Sequence, residues 1–182
     1  PAMLDTLIMV VLALLMATPL GIFAAIYLVE YAKRGNKIVN VVRVTADTLS
    51  GIPSIVYGLF GMLFFVTYLH MGYSLFAGSC TVSIMILPLI MRTTEEALRA
   101  VPDSYREGSY GLGAGKLRTV FAVVLPSAVP GILAGIILGI GRIVGESAAL
   151  IYTAGSGTAN LRFESGGHFS LIAPLFQSAR TL

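Results

Sequence analysis

TLIMVVLALLMATPLGIFAAIYLV, residues 6–29, carries no charge between Asp5 and Glu30. A helix crossing a hydrocarbon layer of about 30 Å needs about 20 apolar residues at about 1.5 Å each, and this run is long enough. Its LIMVVLALLM core, residues 7–16, is apolar on every face, the pattern of an element embedded in lipid. Outward from it, Thr48 to Met91 is uncharged for 44 positions, about 66 Å as a helix, too long for one crossing and right for two. HMGYSLFAGS, residues 70–79, supplies turn residues and interfacial tyrosine, so the break is expected there. A third uncharged run covers Thr119 to Gly141. Four spans are expected, at 6–29, 52–69, 77–91 and 119–141, an all-α polytopic membrane domain.

Composition agrees. Of 182 residues 56% are hydrophobic and 12% charged, against about 25% charged in soluble domains, and the mean hydropathy is +0.86. A disordered chain is excluded, and membrane lipid is the expected surrounding. The net charge of +3 is too small to suggest nucleic acid as a partner. Cys80 is alone in an apolar stretch, so no disulfide and no metal cluster is expected. His70 and His168 are far apart and read as neither ligands nor catalysts. The chain opens on Pro1 directly before an apolar segment, as an excerpt of a longer protein would.

Basic residues set the orientation. Lys33, Arg34, Lys37 and Arg43 follow the first span, and Arg92, Arg99, Arg106, Lys116 and Arg118 follow the third, while the turn near His70 has none. The positive-inside rule then places 30–50 and 92–118 in the cytoplasm, with the His70 turn, Pro1 and everything after Gly145 outside. A span is expected to be missing upstream, and another downstream. Gly131, Gly135 and Gly139 recur every four residues, a face that another helix can approach closely, whether in the same chain or in a second subunit. Pro19, Pro88, Pro126 and Pro130 are expected to kink spans or mark their ends.

The segment 92–118 holds nine charges yet does not read as loop. Thr93 to Glu96 has the spacing of a capping box opening one short helix, and Pro102-Asp103-Ser104 restarts another, about 104–112. Gly113 then supplies the positive φ that ends it. Enzyme readings fail: no H-E-x-x-H, no G-x-S-x-G and no Cys/His constellation is present. Near Gly115-Lys116, Leu117 stands where a phosphate loop needs Ser or Thr, so ATP is not expected to bind this chain.

Glu107-Gly108-Ser109, three residues, Gly113, nine residues and Val123-Val124-Leu125-Pro126 follow the spacing of the EAA motif of bacterial ABC importer permeases. Gly108 and Ser109 replace the two alanines, and Val123 the isoleucine. With Gly51-Ile52-Pro53-Ser54, Arg92-Thr93-Thr94-Glu95-Glu96 and Arg142-Ile143-Val144-Gly145-Glu146-Ser147, the chain resembles the phosphate-specific importer permeases of the PstA type over essentially its whole length. The resemblance implies the all-α, MetI-like type I importer domain in the inner membrane of a bacterium or archaeon. It implies that Glu107, Gly108, Ser109, Gly113, Lys116, Leu125 and Pro126 belong to a coupling segment seated on an ATP-binding subunit dimer, where ATP and Mg reside. It further implies a second homologous permease, an extracytoplasmic phosphate-binding protein, and inorganic phosphate as solute.

Arg142 and Glu146 are four residues apart, on one face of a helix expected to continue, at the end of an otherwise uncharged span. Charges there are costly and mark functional sites by default. A guanidinium suits a phosphate oxyanion through paired hydrogen bonds. Arg142 is therefore expected to line the solute path with Glu146 offsetting its charge; a static ion pair locking helices is the alternative. Another oxyanion, or an ion-coupled secondary transporter, are the competing functions.

Overall fold

The computed structural model describes residues 2–32, 37–70 and 74–146. The expected outer segment 147–182, His168, Lys33 and Arg34 lie outside the described residues. Those that are described contain helix and no strand. The elements are α1 (Ala2–Ile26), continued by a π turn Tyr27–Tyr31; α2 (Lys37–Ser50); α3 (Ser54–Gly61), continued by a π stretch Met62–Tyr68; α4 (Leu75–Ala100); α5 (Asp103–Gly111); α6 (Lys116–Thr119); and, after a π turn Val120–Val124, α7 (Leu125–Val144).

Three continuous helices are long and apolar enough to cross a membrane: Thr6–Tyr31, Leu75–Ala100 and Lys116–Val144. The pair Lys37–Ser50 and Ser54–Tyr68 passes only together, with a break at Gly51-Ile52-Pro53. Pro53 sits at φ −58° and ψ 140° immediately before α3, the extended geometry that a proline ahead of a helix adopts at no cost. α2 is an element that sequence reasoning did not draw. Its Ile, Val and Thr residues are poor helix formers in isolation. Tertiary contacts decide it: Val39 and Ala46 are buried about two turns apart, with Arg43 between them on the same side.

α4 is the inner helix: 67% of its apolar window is buried, against 28% for the windows on Thr6–Tyr31 and Lys116–Val144. On α1 the usual order is inverted. Ala13, Ala17 and Ala25 are fully buried while Leu7, Val11, Leu15 and Phe23 are exposed. Lipid tails are as apolar as leucine, so spans gain by close backbone contact through small residues and lose nothing by turning large ones outward.

The described residues form two compact units. In the one made from 17–50 and 87–139, Leu28, Val39, Leu98, Val124 and Ile132 share a buried core. Glycines set the helix crossings. A Cβ on Gly21 would lie 2.8 Å from Ile90 Cγ2, one on Gly131 2.6 Å from Ala97 Cβ, and one on Gly135 2.7 Å from Thr93 Cβ. Gly139 is buried too. Gly131 and Gly135 thus face α4 of the same chain. In the other unit, within 1–16, 51–86 and 140–182, Ser83 Oγ donates to the Ala13 carbonyl at 3.1 Å, tying α4 to α1, and to the Ser79 carbonyl at 2.7 Å. Ser79 and Thr81 hydroxyls donate one turn back, to Leu75 and Ala77, so none of these buried polar groups needs water.

Two expectations are corrected. Thr93 to Glu96 does not open a helix, because α4 runs unbroken from Leu75 to Ala100. Thr93 Oγ1 bonds backward to the carbonyls of Leu89 and Ile90 at 3.0 and 3.2 Å, which leaves it unable to cap. Arg142 and Glu146 do not share a continuing helix, because α7 ends at Val144. Gly145, a poor helix former, carries the chain off, and the Glu146 N–H closes on the Ile143 carbonyl at 3.1 Å.

Three outcomes follow for the full-length protein in detergent, measured by thermal unfolding. Gly135→Ala lowers stability by about 1–3 kcal/mol through overpacking against Thr93, whereas Gly141→Ala, whose Cβ meets nothing within 4 Å, changes it by less than about 1 kcal/mol. Gly113, at φ +81°, tolerates alanine at a cost of about 1–2 kcal/mol from the left-handed backbone alone.

Candidate functional site

Charged side chains gather at one end of α1, α2 and α4 and on α5 and α6, the segment to which the resemblance assigns coupling. α5 starts after Pro102, whose missing N–H costs nothing at a helix start. It ends in a turn with Gly113 at φ +81°, where the Ala114 N–H reaches back to the Ser109 carbonyl at 3.1 Å. Gly115 then precedes α6 in an extended conformation. The hydroxyls of Ser109 and Thr119 bond at 2.9 Å across the turn. This gives a physical use to serine at a position where the motif has alanine. Gly108, at the other such position, has open space around it, so alanine would fit equally well.

The outer surface of this segment is unusual. Leu112 at the tip is 91% exposed, and Leu117, Tyr105 and Tyr110 are exposed beside it, with Glu107 on the same short helix. Lys116 lies with its Nζ 5.0 Å above the Tyr31 ring, a cation–π contact to the end of the first span. Leu125 packs partly buried against the core and Pro126 is exposed, both in the first turn of α7. They shape the start of the span rather than the segment's outer surface. The π turn Val120–Val124 lies just ahead of Pro126, where a proline ring would strain an α-helical turn.

Sequence reasoning missed the residues that anchor the segment. Arg106, 14% exposed, meets Glu30, 7% exposed, at 2.8 Å; 76 positions separate them. Nothing in local spacing could have paired them, although Glu30 as the first charge after an apolar run was the available signal. A second group fastens α2 to α4: Glu95 accepts from Arg43 and Arg99, each at 2.6 Å, and Asp47 from Arg92 at 2.5 Å. These groups line a cavity of about 170 Å³ with Glu96 and Met91. Three arginines and three carboxylates leave it without net charge, so it offers no anion site.

Arg142 is half-buried near the end of α7 and acts electrostatically on Tyr57 of α3. Among the described residues it forms no ion pair with Glu146 or any other carboxylate, whereas Arg43, Arg92, Arg99 and Arg106 are all paired. The static-lock alternative therefore lacks its bond here. No cluster of three metal-ligating side chains occurs among the described residues.

Known proteins bear on these features. The family described as "Binding-protein-dependent transport system inner membrane component" matches residues 17–177. The chain is 40% identical over 173 residues to the probable ABC transporter permease protein YqgI of Bacillus subtilis (strain 168), covering 94% of this chain and 58% of that one. It is 41% identical over 154 residues to the phosphate transport system permease protein PstA of Mycobacterium leprae (strain TN), covering 85% and 50%. PstA of Yersinia pestis is 42% identical over 147 residues, covering 81% and 49%. The chain thus spans about half the length of the curated relatives it matches. Among solved structures, an inward-facing MetNI methionine ABC transporter superposes with TM-score 0.64 at 22% identity, over 79% of this chain and 66% of that one, a likeness of fold. Apolar helices joined through small residues, a glycine-turned charged segment at their ends and a family match over most of the length lead to one conclusion: the chain belongs to the inner membrane components of binding-protein-dependent transport systems.

Proposed function

We propose that this chain is the permease part of an ATP-driven importer of inorganic phosphate in a bacterial or archaeal cytoplasmic membrane. In this reading it shares the solute path with a second, homologous permease, receives phosphate from an extracytoplasmic binding protein, and is driven by an ATP-binding subunit dimer that holds ATP and Mg. The observation that carries it is the segment from α5 to α6. A leucine exposed at 91% on a rigid, glycine-turned tip, flanked by exposed tyrosines, is a surface that a groove on a partner covers. Glu107 and Lys116 would fix its register there, and the positive-inside rule puts it on the cytoplasmic side.

The solute assignment rests on the similarity to phosphate permeases together with Arg142. A guanidinium with no carboxylate partner among the described residues, near the end of an apolar helix, presents paired donors to an oxyanion. A single such cation attracts the ion without holding it, as transport requires. Glu146, just beyond the helix, lies near enough in sequence to temper that charge. Within the described spans the carboxylates Glu30, Glu95 and Glu96 sit at the charged ends, and Glu30 and Glu95 are held by arginines, which is not the chain across the apolar layer that a proton-coupled carrier would need.

The test uses the full-length chain co-produced with its transport subunits. Arg142→Gln is expected to lower radiolabelled phosphate uptake by about tenfold or more, through loss of a charge-assisted hydrogen bond, while the ATPase still co-purifies. Leu112→Asp and Glu107→Lys are expected to release the ATPase. Wild-type uptake of another oxyanion in place of phosphate would overturn the solute, and uptake with no ATPase bound would overturn the coupling role.

A further inference from the structure

The guanidinium of Arg106 has every donor in use. Its Nε and Nη2 both donate to Glu30 Oε1, at 3.1 and 2.8 Å; Nη2 also reaches the Leu98 carbonyl at 2.9 Å; Nη1 reaches the Val101 carbonyl at 2.8 Å and Asp103 Oδ1 at 3.1 Å. An arginine side chain has five N–H bonds and no more. One residue on α5 thereby grips the π turn that ends the first span and two carbonyls at the end of α4. Those carbonyls have no helical partner of their own, so the arginine satisfies them and complements the negative helix end. α5 packs on α6 and on the π turn before α7, which follow it in the chain. Its own polar link to the first span is Arg106–Glu30, and α6 adds Lys116 over Tyr31.

We infer that Arg106 is the positioning residue that makes the first span move with the coupling segment. This inference rests on the reading that the segment is driven by an ATPase. A push on α5 reaches α7 through the covalent chain. It reaches α1 indirectly through α4, on which Gly21 packs, and directly through Arg106, whose hydrogen-bonded fork held at three points transmits displacement where a flexible ammonium would pivot. Lysine could keep the charge opposite Glu30 but could not hold both carbonyls as well.

The experiment uses the full transporter in proteoliposomes, reading phosphate moved per ATP hydrolysed. Arg106→Ala and Glu30→Ala are each expected to keep the ATPase bound and hydrolysing while the ratio falls by about tenfold. The double variant falls no further, since both remove one link. Arg106→Lys falls with them. A second readout does not depend on the solute. Spin labels at exposed positions Tyr27 and Ser104 are expected to keep a constant separation between ATP-free and ATP-trapped wild type, and to separate in Arg106→Ala. The inference is overturned if the ratio is unchanged in the assembled variants, if the label separation varies in wild type, or if Arg106→Ala releases the ATPase, which would make Arg106 a docking residue. Should Arg106→Ala fail to assemble, Glu30→Gln decides, and a wild-type ratio there overturns it. A wild-type complex that binds the ATPase but moves no phosphate refutes the solute reading alone, leaving the label measurement to judge the joint.

Discussion

Close backbone approach at a few small residues governs this structure. In hydrocarbon there is no gain in hiding one apolar surface against another, so the spans associate only where they fit. Gly21 lets α1 come against Ile90 and Met91, and Gly131 and Gly135 let α7 come against Ala97 and Thr93. All four partners lie within two turns of α4, which makes that helix the reference for the other two. Ser79, Thr81 and Ser83 on it are tied to carbonyls one turn back, and Ser83 also reaches the Ala13 carbonyl of α1.

Fit alone leaves helices free to slide along one another, and the charged ends remove that freedom. Glu95 joins Arg43 to Arg99, Asp47 joins Arg92, and Glu30 joins Arg106. Exposed pairs of this kind add little to stability. The Glu30–Arg106 pair is nearly enclosed, and removing one member would strand the other, a loss of about 3–5 kcal/mol in comparable buried pairs. Their combined effect is to fix register where α1, α2, α4 and α5 meet, the same end from which the glycine-turned tip projects.

Of the expected spans, 6–29, 77–91 and 119–141 fall within helices long and apolar enough to cross a membrane, because hydrocarbon forbids unpaired charge, whereas 52–69 passes only together with α2. The turn at Gly113 was legible because few residues other than glycine accept its backbone angles. α2 was not, since its Val, Ile and Thr residues and three charges read as an inter-span segment until Arg43 and Asp47 are seen to face α4. Thr93 and Glu96 have capping-box spacing, but a spacing cannot say that the preceding turn is already helical and has claimed the hydroxyl. Arg142 and Glu146 looked like one helical face until Gly145 ended the helix. Arg106 carried only its charge, because its partner lies 76 positions away.

The π turn at Tyr27–Tyr31 has a consequence for chain length. Its closing bond, from the Ala32 N–H to the Tyr27 carbonyl at 2.9 Å, spans five residues where an α-turn spans four. The turn therefore contains one residue more than a straight helix would, and everything beyond it is rotated by about 100°. Glu30 and Tyr31, which meet Arg106 and Lys116, lie within this widened turn. Loss of any single residue from this turn, whatever its identity, would restore a regular helix and carry the acceptor and the ring around to another side. Here the count of residues, as much as their chemistry, is what descent has to preserve.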